Sequence, residues 1–145
     1  MYEIRLHGRG GQGAVLAAKI LANAFVAEGK FVKAVPAFGF ERRGAPVASY
    51  LRCDDKRIRQ NTNIYTPDCI VCIDPTLPRV VDIFAGMNAN GTLVHTTKKA
   101  VDELHLPKSV SRAGLCDAFG IAIRIFGRPI TNSLMLGAFA RTTGM

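Results

Sequence analysis

A glycine-rich turn near the N-terminus limits what this chain can fold into more than any other feature. Gly8, Gly10 and Gly13 form a Gly-x-Gly-x-x-Gly pattern between an apolar stretch at residues 4–8 and residues 12–28, whose apolar positions have helical spacing. The pattern predicts a strand, a tight turn and a helix that ends at Gly29. Backbone N–H groups at such a turn can bind a phosphate, although the spacing alone equally allows a tight turn that binds nothing.

Strands and helices alternate along the rest of the chain. Further strands are predicted at residues 31–35, 47–53, 69–73 and 92–95, and helices at residues 77–84, 113–126 and 132–142. This order indicates one α/β domain over residues 1–145, a three-layer α/β/α arrangement whose mixed central sheet is mostly parallel, with residues 47–53 as the candidate antiparallel strand. Because ligands of such sheets lie beyond the carboxyl ends of the strands, we expect the glycine turn, Asp74 and His95 near that edge.

Composition and charge exclude several classes of protein. The chain is 48% hydrophobic and 21% charged, and it has neither a signal peptide nor an apolar run that could span a membrane, so we expect a cytoplasmic protein without membrane contacts. Lys and Arg exceed Asp and Glu by 19 to 11, which favours an anionic partner, although a solvated basic surface explains the charge equally well. Few aromatic residues accompany the basic ones, so no nucleic-acid partner is expected.

The cysteine and histidine residues do not form a recognisable metal or cluster motif. Cys69 and Cys72 have the spacing of a redox or metal pair, but residues three apart on a strand point to opposite faces, which predicts two core thiols. The chain also has no closely grouped ferredoxin-type cysteines and no Gly-Asp-Gly motif for thiamine diphosphate. We expect it to hold no metal, cluster or thiamine cofactor alone. No catalytic residue is assigned, since His7 and Asp74 suit capping and turn roles better than catalysis.

The loop after the second strand argues against ordinary NAD binding. A dinucleotide site asks for an acidic residue about 20 positions after the glycine turn. Here Glu41 is the first carboxylate after that strand, and Arg42 and Arg43 follow it directly. A ligand with a ribose phosphate, such as NADP or coenzyme A, fits better because guanidinium groups bind phosphate bidentately. The arginines could equally contact a neighbouring subunit. A stand-alone NADP-type reductase is therefore the second interpretation. A basic nucleic-acid-binding module is a third, which rests on the net charge and which the scarcity of aromatic residues disfavours.

Several motifs, in order along nearly the whole chain, resemble the gamma subunit, or the equivalent fused domain, of pyruvate and other 2-oxoacid:ferredoxin oxidoreductases. The first two are His7-Gly8-Arg9-Gly10-Gly11-Gln12-Gly13 and the segment Phe38 to Pro46, with its Glu-Arg-Arg-Gly-Ala-Pro centre. Asp74-Pro75-Thr76-Leu77 and, less distinctly, residues 132–138 continue the match. Members of this family usually continue with more C-terminal helix than follows residue 138 here.

The resemblance implies a heteromeric complex that oxidatively decarboxylates a 2-oxoacid with coenzyme A, giving acyl-CoA, CO2 and low-potential electrons in anaerobic metabolism. Alpha-, beta- and delta-type partner subunits would carry thiamine diphosphate, Mg2+ and iron–sulfur clusters, and ferredoxin or another acceptor would take the electrons. This chain would not be catalytic alone. It would help to bind coenzyme A and support the assembly, with the phosphates held by backbone groups of Gly10, Gly11, Gln12 and Gly13 and by the side chains of Arg42 and Arg43.

Overall fold

In the computed structural model, which describes residues 1–36 and 42–145, the strands join into one mixed sheet. They run in the spatial order β2-β3-β1-β4-β5-β6. β1, β4, β5 and β6 are parallel neighbours, whereas β3 is antiparallel to both β1 and β2. The mostly parallel sheet and the antiparallel direction of residues 47–53 are therefore confirmed. The strands are β1 (Tyr2–Arg9), β2 (Phe31–Pro36), β3 (Pro46–Asp54), β4 (Cys69–Cys72), β5 (Gly91–Thr96) and β6 (Val110–Cys116).

Three helices within the described residues cover one face of the sheet. They are α1 (Ala14–Ala27), α2 (Ala118–Phe126) and α3 (Asn132–Thr143), and all contribute to one hydrophobic core. In this core the rings of Phe25 and Phe139 meet edge to face, with their centroids 6.4 Å apart and their planes at 84°. No helix in the described part of the chain is long and apolar enough to cross a membrane. The helix α1 faces the sheet with buried residues at helical spacing: Ala14, Ala17, Ala18, Leu21 and Phe25.

The two faces of the sheet follow directly from the alternation of side chains along each strand. Ile4 of β1 belongs to the core under the helices, whereas Arg5 is buried on the opposite face, where its side chain bonds residues 83 and 85. Cys69 of β4 lies in the helix-side core, and Cys72 lies in the core on the other side. The prediction that these two thiols point to opposite faces is confirmed, and so is their burial.

The face opposite the helices is covered by loops and short 3-10 turns instead of α-helices. Two 3-10 helices, Leu77–Arg79 and Val101–Leu104, lie in the segments on this side. Arg5 fixes the nearer segment, since its Nη2 donates to the carbonyl oxygens of Ile83 at 2.9 Å and Ala85 at 2.7 Å. The α/β class is confirmed, with a third layer built from these turns. Leu77 and Ile83 of these segments pack against Ile70, Cys72 and Leu93 of the sheet in a second core.

The helix predicted at residues 77–84 is wrong beyond its first turn. Only Leu77–Arg79 is helical, as a 3-10 turn, and turns follow it. Pro78 lies in the first turn, where its missing N–H is tolerated, so it does not account for the early end of the helix. Asp82 then accepts a hydrogen bond from the N–H of Phe84 at 3.0 Å, which favours a turn. Leu77 and Ile83 are buried because separate turns place them against the sheet, and the apolar spacing of residues 77–84 only resembles that of one helix face.

The helix predicted at residues 113–126 is wrong in its first part. Residues up to Cys116 form β6, which pairs with β5 along its length. The helix α2 begins only after Asp117, whose Oδ1 accepts a hydrogen bond from the N–H of Gly120 at 2.9 Å. Asp is a preferred residue at that position. Strand pairing therefore overrides helical spacing before Asp117, whereas the helix predicted at residues 132–142 is confirmed as α3.

The contact between α1 and α3 gives the first testable prediction. Phe139→Ala removes a ring that is 1% exposed and leaves a cavity against Phe25. We expect it to lower the free energy of unfolding by about 3–5 kcal/mol, measured by urea denaturation of the isolated chain. The matched control is Phe126→Ala, because Phe126 is 49% exposed. Equal losses in both variants would contradict this assignment of the core.

Candidate functional site

The glycine turn begins where β1 ends. Backbone hydrogen bonds join it to the segment that carries Arg42 and Arg43, called the basic segment here. The N–H of Gly10 donates to the carbonyl oxygen of Ala45 at 2.8 Å, and the Gly10 carbonyl accepts from the N–H of Gly44 at 3.0 Å. A Cβ atom on Gly10 would collide with the carbonyl oxygen of Arg42. Only glycine allows the two backbones to approach so closely. This pairing brings the segment that carries Arg42 and Arg43 to the glycine turn.

The turn leads into α1 without a side-chain cap. Gly11 and Gly13 have φ values of 89° and 78°, in the left-handed region that favours glycine. Gly13 immediately precedes α1, and no side chain accepts a hydrogen bond at this cap. Within the described residues, the N–H groups of Gly11, Gly13 and Ala14 have no hydrogen-bond acceptor. These donors, at the positive end of the helix dipole, are therefore available to an anion.

A hydrogen-bonded network of side chains holds the turn against the end of β4. Gln12 accepts the N–H of Arg9 at 2.7 Å through Oε1 and donates to Oδ2 of Asp74 at 2.6 Å through Nε2. The other Asp74 oxygen accepts from the N–H and the hydroxyl of Thr76, at 2.8 and 2.6 Å. Burial acts to raise the pKa of Asp74, but hydrogen bonds from Thr76 and Gln12 and the charge of Arg9 outweigh it and lower this pKa.

Arg9 links three parts of the site. Its Nε lies 3.4 Å from Oδ2 of Asp74, and its two Nη atoms donate to the carbonyl oxygen of Gly44 and to the hydroxyl of Thr76, each at 3.0 Å. Arg9 therefore fixes the basic segment to the carboxyl ends of β1 and β4. Its charge is largely compensated by Asp74. Arg43 also lines the cleft, and its side chain has no ion pair with any described residue.

The turn, the basic segment and the start of α3 surround an open cleft of about 870 Å³. This volume is within the range of about 300–1,000 Å³ that ligand sites commonly have. Asn132 at the start of α3 closes one side, because its Nδ2 lies 2.6 Å from where a Cβ of Gly13 would be. Apolar side chains of Leu16, Phe119 and Ile130 form another wall. The cleft thus combines anion-binding groups with apolar surface.

The structure brings together most of the residues that the sequence predicted for this site. Gly10, Gly11, Gln12, Gly13 and Arg43 all line the cleft. The side chain of Arg42 is exposed, and its backbone packs against Gly10. Of the four predicted backbone donors, the N–H groups of Gly10 and Gln12 already bond the carbonyl oxygens of Ala45 and Arg9, and the Gln12 side chain bonds Arg9 and Asp74. The remaining predicted residues of the loop, Glu41 and the phenylalanines Phe38 and Phe40, lie outside the described residues.

Two contributors were missed from the sequence. Arg9 occupies one of the non-glycine positions of the glycine pattern. Its position at the carboxyl end of a predicted strand is the sequence feature that could have identified it as part of the site. Asn132 is separated from the turn by more than a hundred residues, so only the packing of α3 against α1 reveals it. Asp74 was expected at this edge, and it lies there as the acceptor for Gln12, Arg9 and Thr76.

His7 and Asp74 do not form a catalytic pair. The His7 ring lies on the face opposite the helices, where its Nε2 accepts a hydrogen bond from Nε of Arg5 at 3.0 Å. Burial and the charge of Arg5 lower the pKa of His7 to about 4, so the ring is neutral at pH 7. His95 is also buried, and its Nδ1 lies 3.4 Å from the carbonyl oxygen of Cys72. Both imidazoles contribute to packing on that face.

The thiols have the properties of core residues. Burial raises the pKa of Cys69 and of Cys72 to about 12 in each case, so neither is a thiolate near neutral pH. Across residues 1–36 and 42–145, no three His, Cys, Asp or Glu side chains are grouped as a metal site would require. The described groups that face the cleft, backbone N–H donors and Arg43, are of the kind that suits an anion.

Comparisons with known proteins agree with one another. Residues 3–145 match the family described as pyruvate ferredoxin/flavodoxin oxidoreductase. The chain is 65% identical, over its full length and 76% of the relative, to the gamma subunit of NADH-dependent phenylglyoxylate dehydrogenase from Aromatoleum evansii. It is 52% identical, over its full length and 80% of the relative, to the common gamma subunit of pyruvate/ketoisovalerate oxidoreductases from Thermococcus kodakarensis. The crystal structure of pyruvate oxidoreductase subunit PORC from Thermotoga maritima superposes with a TM-score of 0.81 at 36% identity, covering 99% of this chain and 76% of that one.

The buried state of His7 gives a prediction about pH. Because the folded pKa of about 4 lies below the usual value near 6.5, the unfolded chain takes up a proton first as the pH falls. The stability that neutral His7 contributes is fully present above pH 6.5 and is lost as the pH falls from 6.5 to 4. At pH 5 this group has lowered the free energy of unfolding by about 2 kcal/mol. We expect His7→Gln to reduce the loss seen in urea unfolding between pH 7 and 5. The control His105→Asn, which removes an exposed imidazole, should leave the loss unchanged.

Proposed function

Since the chain belongs to the pyruvate ferredoxin/flavodoxin oxidoreductase family as a subunit of the gamma type, we propose that it binds the phosphate-bearing part of coenzyme A within its complex. One observation carries this proposal. The helix N-terminus at Gly13 and the basic segment at Arg43 meet on one cleft, and the backbone pairing of Gly10 fixes their relative position. Backbone donors and guanidinium groups are together suited to phosphate groups.

The proposed reaction is that of the whole complex. A 2-oxoacid and coenzyme A give an acyl-CoA and CO2, with two electrons passing to ferredoxin or another acceptor and a proton released. The bond between the carboxylate carbon and the oxo carbon breaks, and a bond forms between the oxo carbon and the sulfur. We assign thiamine diphosphate, Mg2+ and iron–sulfur clusters to alpha-, beta- and delta-type partners in the cytoplasm. This chain contributes by holding and orienting coenzyme A and by supporting the assembly.

The charges of the cleft support a phosphate ligand. The only carboxylate among the described lining residues, Asp74, already accepts hydrogen bonds from Gln12 and Thr76 and pairs with Arg9. Its negative charge is thus compensated. The N–H groups of Gly11 and Gly13 remain as donors that a phosphate oxygen can accept from. An incoming phosphate therefore meets donors and cations, and the apolar wall provides surface for the uncharged parts of the ligand.

The alternative of a stand-alone NADP-type reductase has less support. The relatives compared above are named as gamma subunits, which disfavours a reductase that acts alone. The two functions predict different behaviour of the isolated chain. A reductase would bind a nicotinamide nucleotide by itself, whereas the proposed subunit gains its role only in the complex.

The arginine pair provides the direct test. We expect Arg42→Glu combined with Arg43→Glu to raise the KM for coenzyme A of the reconstituted complex roughly tenfold, which corresponds to about 1.4 kcal/mol of lost binding. The matched control is Arg57→Glu with Arg59→Glu, two exposed arginines after β3, at the opposite edge of the sheet. Size-exclusion chromatography verifies assembly. An unchanged KM in an intact complex would show that the cleft does not bind coenzyme A.

The identity of the 2-oxoacid can also be proposed. Of the relatives compared here, the one at 65% identity is named as part of a phenylglyoxylate dehydrogenase, and the one at 52% as part of pyruvate/ketoisovalerate oxidoreductases. We therefore propose an aromatic 2-oxoacid as substrate of the complex. The purified complex should show a higher kcat/KM with phenylglyoxylate than with pyruvate or ketoisovalerate, measured by acyl-CoA formation. A preference for pyruvate would reject this substrate and leave the role in coenzyme A binding intact.

A further inference from the structure

A second hollow continues from the cleft along the carboxyl edge of the sheet. It has a volume of about 260 Å³ and shares three lining residues with the cleft, Pro75, Thr76 and Phe119. It lies between the 3-10 turn after β4 and the residues that follow β5. The two hollows are therefore neighbours, together called the groove here, and both lie at the ends of the parallel strands where ligands of such sheets bind.

Three cations line this second hollow. They are Arg79 from the 3-10 turn, and Lys98 and Lys99 just after β5. Their side chains are exposed, and within residues 1–36 and 42–145 none of them has a hydrogen bond or ion pair. The carboxylate that lines the hollow, Asp117, already accepts the N–H of Gly120 as the cap of α2. A net positive charge is therefore concentrated at one point of the groove.

A buried hydroxyl at the same place independently indicates a ligand. Thr96, the last residue of β5, lines the hollow and is 1% exposed. Its Oγ1 has no hydrogen-bond partner among the described residues. A buried hydroxyl without a partner is unfavourable, and folded proteins leave few of them. A phosphate oxygen in the hollow would provide that partner.

We propose that Arg79, Lys98, Lys99 and Thr96 form a second phosphate site for the same coenzyme A. This inference rests on the proposed function. Coenzyme A carries two anionic groups, a diphosphate and a 3′-phosphate, on the two sides of one ribose. The groove offers two separate positive sites, one at the glycine turn and one after β5. One ligand spanning both sites compensates both charges.

The lysines provide the kinetic test. Lys98→Gln combined with Lys99→Gln, in the assembled complex, should raise the KM for coenzyme A about fivefold without lowering kcat. The matched control is Lys56→Gln with Lys108→Gln, since both lysines are exposed and lie near the opposite edge of the sheet. Dephospho-coenzyme A, which lacks the 3′-phosphate, identifies the group that the lysines bind. If the variant raises the KM for coenzyme A but not for dephospho-coenzyme A, the group is the 3′-phosphate; if it raises both KM values, the group is the diphosphate. An unchanged KM overturns the inference.

Chemical protection provides a readout that does not depend on the variants. The wild-type complex is treated with a lysine-acylating reagent with and without coenzyme A, and the modified residues are quantified by mass spectrometry. Coenzyme A should protect Lys98 and Lys99 but not Lys56 or Lys108. Absence of protection overturns the inference even if the lysine variant assembles poorly.

The two proposals can fail separately. If the Arg42 and Arg43 variant raises the KM for coenzyme A but the Lys98 and Lys99 variant does not, coenzyme A binds at the glycine turn only. If neither variant has an effect in an intact complex, the proposed function fails as well. Thr96→Val adds a finer probe, because it removes the hydroxyl but keeps the shape, and it should raise the KM for coenzyme A about twofold to threefold.

Discussion

The candidate site depends on the close backbone pairing between Gly10 and the segment after residue 41. Just beyond the last antiparallel pair of β1 and β3, Arg9 with Pro46, Gly10 forms an isolated parallel bridge with Arg43 and bonds the backbones of Gly44 and Ala45. Because a Cβ atom at residue 10 would collide with the carbonyl oxygen of Arg42, any other residue would push this segment away from the turn. One antiparallel strand in a mostly parallel sheet thus determines where the basic segment lies. It returns the basic segment to the edge where α1 begins.

The polar side chains near the turn have structural roles that leave the backbone donors available. Gln12 uses both ends of its amide, one for Arg9 and one for Asp74, and Arg9 reaches Gly44 and Thr76. These bonds hold the turn rigid before any ligand arrives, which reduces the ordering that binding would otherwise require. They also compensate Asp74, the only carboxylate among the described residues that line the cleft. An anion therefore meets a preformed site with its attractive groups exposed and its repulsive group compensated.

The sequence predicts the parts of this site whose structure depends on residues close to one another in the chain. It does not predict the parts whose structure depends on contacts between distant segments. Gly13 and Gly29 mark the two ends of α1, because each has a positive φ value that favours glycine at that position of the chain. The opposite orientation of Cys69 and Cys72 follows from the period of a strand alone. By contrast, the apolar spacing before Asp117 is compatible with helix or strand, and pairing with β5 selects the strand. The contribution of Asn132 depends on how α3 packs, which no local pattern contains.

If coenzyme A binds in the groove as proposed, the position of the groove explains how this subunit supports catalysis without contributing a reacting group. The phosphates of coenzyme A are remote from its thiol, so contacts to them do not change as the carbon–sulfur bond forms. Binding energy from such a remote part can still hold the thiol in position and compensate the loss of freedom that the reaction requires. For this the anchor must be rigid, and the described groove is built on strand ends, a helix N-terminus and a network fixed by Arg9 and Asp74. A loose loop carrying the same charges would bind the phosphates without placing the thiol.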